Sequence, residues 1–71
     1  MHDELENKIR VFRAEHRMSQ TDLAEAIGVT RKTISTIEVG KFTPSTVIAL
    51  KIARHFGVAV EKIFWLKSQK D

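Results

Sequence analysis

The chain contains no cysteine, which excludes a disulfide framework, a zinc finger and a thiol catalyst together. It has three glycines and no glycine-rich phosphate loop. No serine or threonine sits in a strand–turn–helix elbow of the kind that presents a nucleophile. Apolar runs are short, the longest being of the length of Ile63-Phe64-Trp65-Leu66, whereas a membrane-spanning helix needs about 18 or more apolar residues. The first residues, Met1-His2-Asp3-Glu4, are acidic and lack the apolar stretch of a secretory signal. Together these absences predict a cytoplasmic protein without membrane association, and not an enzyme. Strand signals are also scarce. Val58-Ala59-Val60, between Gly57 and Glu61, is too short to count as one.

What is present is a small globular composition. The 71 residues are 42% hydrophobic, enough for a core and too many for a disordered tail. That length fits one domain spanning 1–71. A chain of this size buries only about 60% of its unfolded surface, so its stability depends on efficient helix packing or on a second subunit. Twelve basic and nine acidic residues leave a net charge of +3. Residues 1–6 carry Asp3, Glu4 and Glu6 without a Lys or Arg, and from Phe42 to Val60 the only charges are Lys51 and Arg54. A basic surplus in the body permits contact with a polyanion without establishing it.

The apolar period is helical almost throughout. Leu5, Ile9, Phe12 and His16 draw one stripe on a helix from about Glu4 to Arg17. Ser19 is a helix N-cap with Asp22 three residues on, a variant of the capping box, and Met18 and Leu23 are spaced for a hydrophobic staple. The second helix runs from Gln20 to Ile27, with Leu23, Ala24 and Ile27 inward, and Gly28 ends it. Thr30 caps a third helix from Arg31 to about Val39, whose buried edge is Ile34 and Ile37. After the Lys41–Pro44 loop, either Thr43 with Pro44 or Ser45 opens a fourth helix, which reaches Phe56 with Ile48, Ala49, Ile52, Ala53 and Phe56 on one face. A short fifth helix covers about Val60 to Leu66, and Lys67 to Asp71 read as a frayed end. Five short helices with tight connections predict a compact all-α fold.

Gln20 to Lys41 is the informative segment. Two short helices joined by a glycine-containing turn form a helix-turn-helix unit over about 20–39. Taking Arg31 as origin and about 100° per residue, Ser35 falls at about 40°, Lys32 at about 100° and Thr36 at about 140°, while Ile37 and Ile34 lie near 240° and 300°. The polar arc therefore carries cations and hydroxyls and no carboxylate. Such a face suits a groove lined by phosphates and base edges. A merely solvated helix face accounts for the same pattern equally well.

Ser19-Gln20, Leu23-Ala24, Gly28-Val29, Ile34-Ser35, Ile37-Glu38 and Gly40-Lys41, continued by Pro44-Ser45, Ile52-Ala53 and Phe56-Gly57-Val58, resemble the Cro/C1-type (XRE-family) helix-turn-helix regulators over about residues 7–66. The resemblance is to the short stand-alone type and implies a five-helix, lambda-repressor-like DNA-binding domain. It further implies phosphate contacts from Gln20, Thr30 and Lys41, base contacts from Arg31, Lys32 and Thr36, and for Ser35 either a base contact or a backbone contact. Arg13 and Glu38 match an ion pair tying the first helix to the third. The chain departs from the family at Val39, where asparagine is usual, at Thr46, where leucine is usual, and at Val11 and Val47, which are apolar at commonly polar positions. The last two are either isolated exposed residues or part of a subunit contact.

Other residues admit plainer readings. His2, His16 and His55 are the only imidazoles, and no two are three or four apart, so their spacing fits no common metal motif; His16 covers the end of the first helix. Asp22 and Glu25 read as capping and solvated carboxylates rather than an acid–base pair. Ile63 is the best core candidate, while Phe64 and Trp65 either cap the core or meet a partner; the resemblance favours a dimer interface, since the family commonly pairs through this region. The sequence thus predicts a regulator, in the repressor sense, that binds a palindromic site on double-stranded DNA as a homodimer and needs no cofactor. The alternatives are an antitoxin-like module whose chief partner is a toxin, and a fragment of a longer regulator.

Overall fold

The computed structural model describes residues 4–67. Its elements are β1 (Leu5–Asn7), α1 (Ile9–Glu15), α2 (Gln20–Ile27), α3 (Arg31–Glu38), α4 (Thr46–Phe56), α5 (Val60–Ile63) and β2 (Phe64–Leu66). Helices dominate, as the apolar period requires, and a two-stranded antiparallel sheet is added to them.

Local chemistry accounts for most helix ends. The Ser19 hydroxyl accepts the Asp22 N–H at 2.9 Å, and the Asp22 carboxylate accepts the Ser19 N–H at 2.9 Å, so both halves of a capping box are formed. Thr30 and Ser45 accept the backbone N–H of Thr33 and Ile48 in the same manner; the fourth helix is therefore opened by Ser45. Gly28 and Gly57 close α2 and α4 at φ +79° and +70°, where a side chain on an L residue is strained. Arg17 adopts φ +56° just beyond α1 without that freedom. Lys51 reaches the C-terminal end of α2, its Nζ donating to Ile27 O at 3.4 Å.

One cluster of side chains fills the interior: Ile9 of α1; Leu23, Ala24 and Ile27 of α2; Ile34 and Ile37 of α3; Ile52, Ala53 and Phe56 of α4; Ile63 of α5; and Phe64 of β2. Phe12, Met18, Ile48 and Ala49 pack against it as half-buried neighbours. Phe56 is flanked by Phe12, His16 and His55, with ring centroids 5.4, 4.9 and 5.2 Å away. His16 Nδ1 lies 2.9 Å from Phe12 O, so this ring closes the end of α1. Among the described residues no helix is long and apolar enough to cross a membrane.

Both ends of the described chain depart from the helical expectation. The first helix begins at Ile9 rather than Glu4, because residues 5–7 pair with 64–66: Leu5 opposite Leu66, Glu6 opposite Trp65 and Asn7 opposite Phe64. The fifth helix accordingly stops at Ile63 instead of Leu66. The alternation of strands resolves the crowding of four consecutive apolar residues, which a helix cannot face in one direction: Phe64 turns into the core while Trp65 stands on the opposite face. Lys67 is tied back as well, its N–H donating to Glu4 O at 2.7 Å, so it is part of this clasp and not frayed. The expectations for His2 and for residues 68–71 lie outside the described residues.

Candidate nucleic-acid interface

Helices α2 and α3, joined across Gly28 to Thr30, pack on one another and make the two-helix unit. Its second helix is sharply two-faced. Ile34 and Ile37 are 0% and 1% exposed, while Arg31 and Lys32 are exposed and Ser35 and Thr36 are half-buried on the other side. Thr30 and Lys41, at the two ends of α3, are exposed. The six residues Thr30, Arg31, Lys32, Ser35, Thr36 and Lys41 thus lie along one helix and its flanks.

The one acidic residue of α3 is withdrawn from this face. Glu38 accepts two bonds from the Arg13 guanidinium, Nε at 2.6 Å and the second terminal nitrogen at 3.1 Å, in the forked geometry that arginine and carboxylate favour. The first terminal nitrogen of Arg13 donates to Met18 O at 2.9 Å. The Arg13 and Glu38 side chains are 14% and 7% exposed. This pair locks α1, the turn before α2, and the C-terminal end of α3 into one unit, and it cancels a charge that would repel a polyanion.

Gln20 occupies a different place from a simple phosphate ligand. Its Nε2 donates to Glu38 Oε1 at 3.1 Å, so one amide hydrogen completes the Arg13–Glu38 network. What remains for an anion is the second amide hydrogen and the backbone N–H at the start of α2. The Thr30 hydroxyl is engaged by its cap and by the Thr33 hydroxyl 3.0 Å away. Thr36 Oγ1 donates back into the helix, to Lys32 O at 2.9 Å and Thr33 O at 3.1 Å. Arg31, Lys32 and Lys41 supply the cationic donors.

Asn7 is the supporting residue that pattern reading passed over. Its Oδ1 accepts the Ile9 N–H at 3.1 Å and starts α1, while its Nδ2 donates to Ile37 O at 3.1 Å. The sheet is thereby fastened to the last turn of the second helix of the unit. The available signal was chemical: asparagine is poor inside a helix and good at its start. Phe64, expected at a subunit contact, is 7% exposed and belongs to the chain's own core. Trp65 is half-buried with the Lys8 ammonium 5.7 Å from its ring centroid. Val11 and Val47 are exposed, as are Val39, Phe42 and Leu50. An open groove of about 610 Å³ between β1 and the α3–α4 loop is lined by Glu4, Glu6 and Glu38 among others, a wall unsuited to phosphate. Among the described residues no three His, Asp or Glu side chains gather as a metal site would require.

Residues 9–63 match the helix-turn-helix family. The chain is 50% identical over 60 residues to an uncharacterized HTH-type transcriptional regulator of Methanocaldococcus jannaschii, covering 84% of this chain and 91% of the relative. It is 42% identical over 65 residues to the uncharacterized HTH-type transcriptional regulator YgzD of Bacillus subtilis, covering 92% and 98%. Among crystal structures, the restriction-modification controller protein C.AhdI from Aeromonas hydrophila superposes with a TM-score of 0.71 at 28% identity, over 76% of this chain and 82% of that one. The chain belongs to the Cro/C1-type helix-turn-helix family of transcriptional regulators. That family is one of regulators, not enzymes.

Proposed function

We propose that the protein is a cytoplasmic repressor that binds a palindromic site on double-stranded DNA as a homodimer, with α3 in the major groove. The observation that carries this reading is the outward arc of α3, which presents Arg31, Lys32, Ser35 and Thr36 and no free carboxylate, Glu38 being held by Arg13. Thr30 and Lys41, with the α2 N-terminus at Gln20, set position through phosphates. Arg31, Lys32 and Thr36 distinguish bases, with Ser35 assisting. Two copies would present their helices to half-sites about 34 Å apart. Trp65, on the sheet face opposite Phe64, is the residue through which the proposed pair meets.

The test is selection of bound sites from random duplexes, followed by affinity on the selected site and measurement of solution mass. Arg31→Ala should weaken specific binding by about 1–3 kcal/mol and relax preference at one base pair. Equal losses on selected and random duplexes would remove Arg31 from base reading. A monomeric mass on the selected duplex would remove the homodimer.

A further inference from the structure

Among the α3 residues proposed to meet the bases, one is constrained by its own hydrogen bonds in how it can do so. Thr36 is half-buried on the outward arc, one turn beyond Lys32 and next to Ser35. Its hydroxyl proton is directed into the helix, toward Lys32 O at 2.9 Å and Thr33 O at 3.1 Å. A threonine bonded back to the preceding turn has its first side-chain torsion fixed, for the hydroxyl and the methyl hang from the same carbon. The proton is spent, and the methyl is the group without a polar engagement. In the major groove, the C5-methyl of thymine is the apolar feature that identifies a base. A donor bond from Thr36 to a base would require breaking its bond within α3, whereas a contact through the methyl leaves that bond intact.

We propose that Thr36 confers specificity through its methyl group, by packing on the C5-methyl of one thymine in each half-site. This rests on the duplex-DNA reading of α3 given above. The side chain's remaining polar capacity is as an acceptor, which would favour the amino group of adenine or cytosine. The two modes are separable, since valine keeps the methyl and removes the oxygen while serine does the reverse.

The experiment uses the full chain and its selected duplex. Each thymine in turn is replaced by deoxyuridine, which lacks only the C5-methyl, and affinity is measured by fluorescence anisotropy for the wild type, Thr36→Val and Thr36→Ser. Helical content of each variant is checked by circular dichroism. One thymine per half-site should weaken wild-type binding by about fourfold when its methyl is removed, the scale of one buried methyl-sized group. Thr36→Val, which keeps the methyl, should show the same fourfold loss at that thymine. Thr36→Ser should bind about fourfold more weakly per half-site and be indifferent to deoxyuridine there. The proposal is overturned if no replacement has an effect that depends on residue 36, or if Thr36→Val loses as much as Thr36→Ser. Failure of the wild type to select any sequence overturns the regulator reading and this proposal with it. Selection without a methyl effect overturns this proposal alone.

Discussion

Replacing Glu38 by alanine is the most informative perturbation of the fold. The carboxylate accepts two bonds from Arg13 and one from Gln20 at a site where its side chain is 7% exposed. Removing it leaves a guanidinium confined between helices with one partner, Met18 O. Breaking a buried pair from one side costs about 3–5 kcal/mol, most of it the uncompensated charge. Arg13 is 14% exposed and keeps its carbonyl bond, so the lower end applies, about 3 kcal/mol. A domain of 71 residues has a total stability of about 4–11 kcal/mol at ~0.05–0.15 kcal/mol per residue. The substitution therefore removes a large share of it and lowers Tm by about 12–24 °C. Urea denaturation followed by circular dichroism measures the loss, and the cycle with Arg13→Met isolates the pair. The double variant Arg13→Met/Glu38→Ala should be much less damaged than the two single losses added together, because no charge is left alone. A Glu38→Ala variant within about 0.5 kcal/mol of wild type, or strict additivity in the cycle, refutes the account.

Three further outcomes are expected. Arg17→Gly should stabilise the chain by about 1 kcal/mol, since φ +56° strains a residue with a β-carbon; an unchanged thermal midpoint contradicts this. Asn7→Ala should destabilise by about 1–3 kcal/mol through the loss of its bonds to Ile9 N–H and Ile37 O. Its signature in hydrogen exchange is faster exchange in the amides of β1 and the first turn of α1, and no change there counts against the clasp. Lys41→Ala should weaken selected and random duplexes alike and lower the slope of log affinity against log salt by about one; a loss confined to the selected site would make Lys41 a base reader instead.

Much of this architecture is encoded within a few residues, and that part is readable directly. Ser19 with Asp22, Thr30, Ser45, Gly28 and Gly57 act on backbone groups close to them in sequence, so their type and spacing suffice to place α2, α3 and α4. The two faces of α3 follow from Ile34 and Ile37 in the same manner. The sheet is of another kind. Its strands are three residues each, too short for alternation to register, and each depends on a partner at the far end of the chain. Leu5 also falls on the same stripe as Ile9, so a strand residue mimics a helix turn. The roles of Gln20 and Phe64 were hidden for a related reason. Which way a glutamine amide turns, and which neighbour of an apolar tetrad faces inward, are decided by Glu38 and by the register opposite Asn7.

The pairing of Leu5 with Leu66 has a kinetic consequence. Helices α2 and α3 touch across a three-residue turn, so their association is fast and entropically cheap, whereas closing a loop of about sixty residues comes late. The sheet is then the final step of folding, with low φ-values for Leu5 and Leu66 and high ones for the α2–α3 contact around Leu23 and Ile34. Because Asn7 donates to Ile37 O, unzipping the two ends would remove one of the bonds on the last turn of α3, the helix proposed to meet the duplex, while Glu38 in that turn stays tied to Arg13.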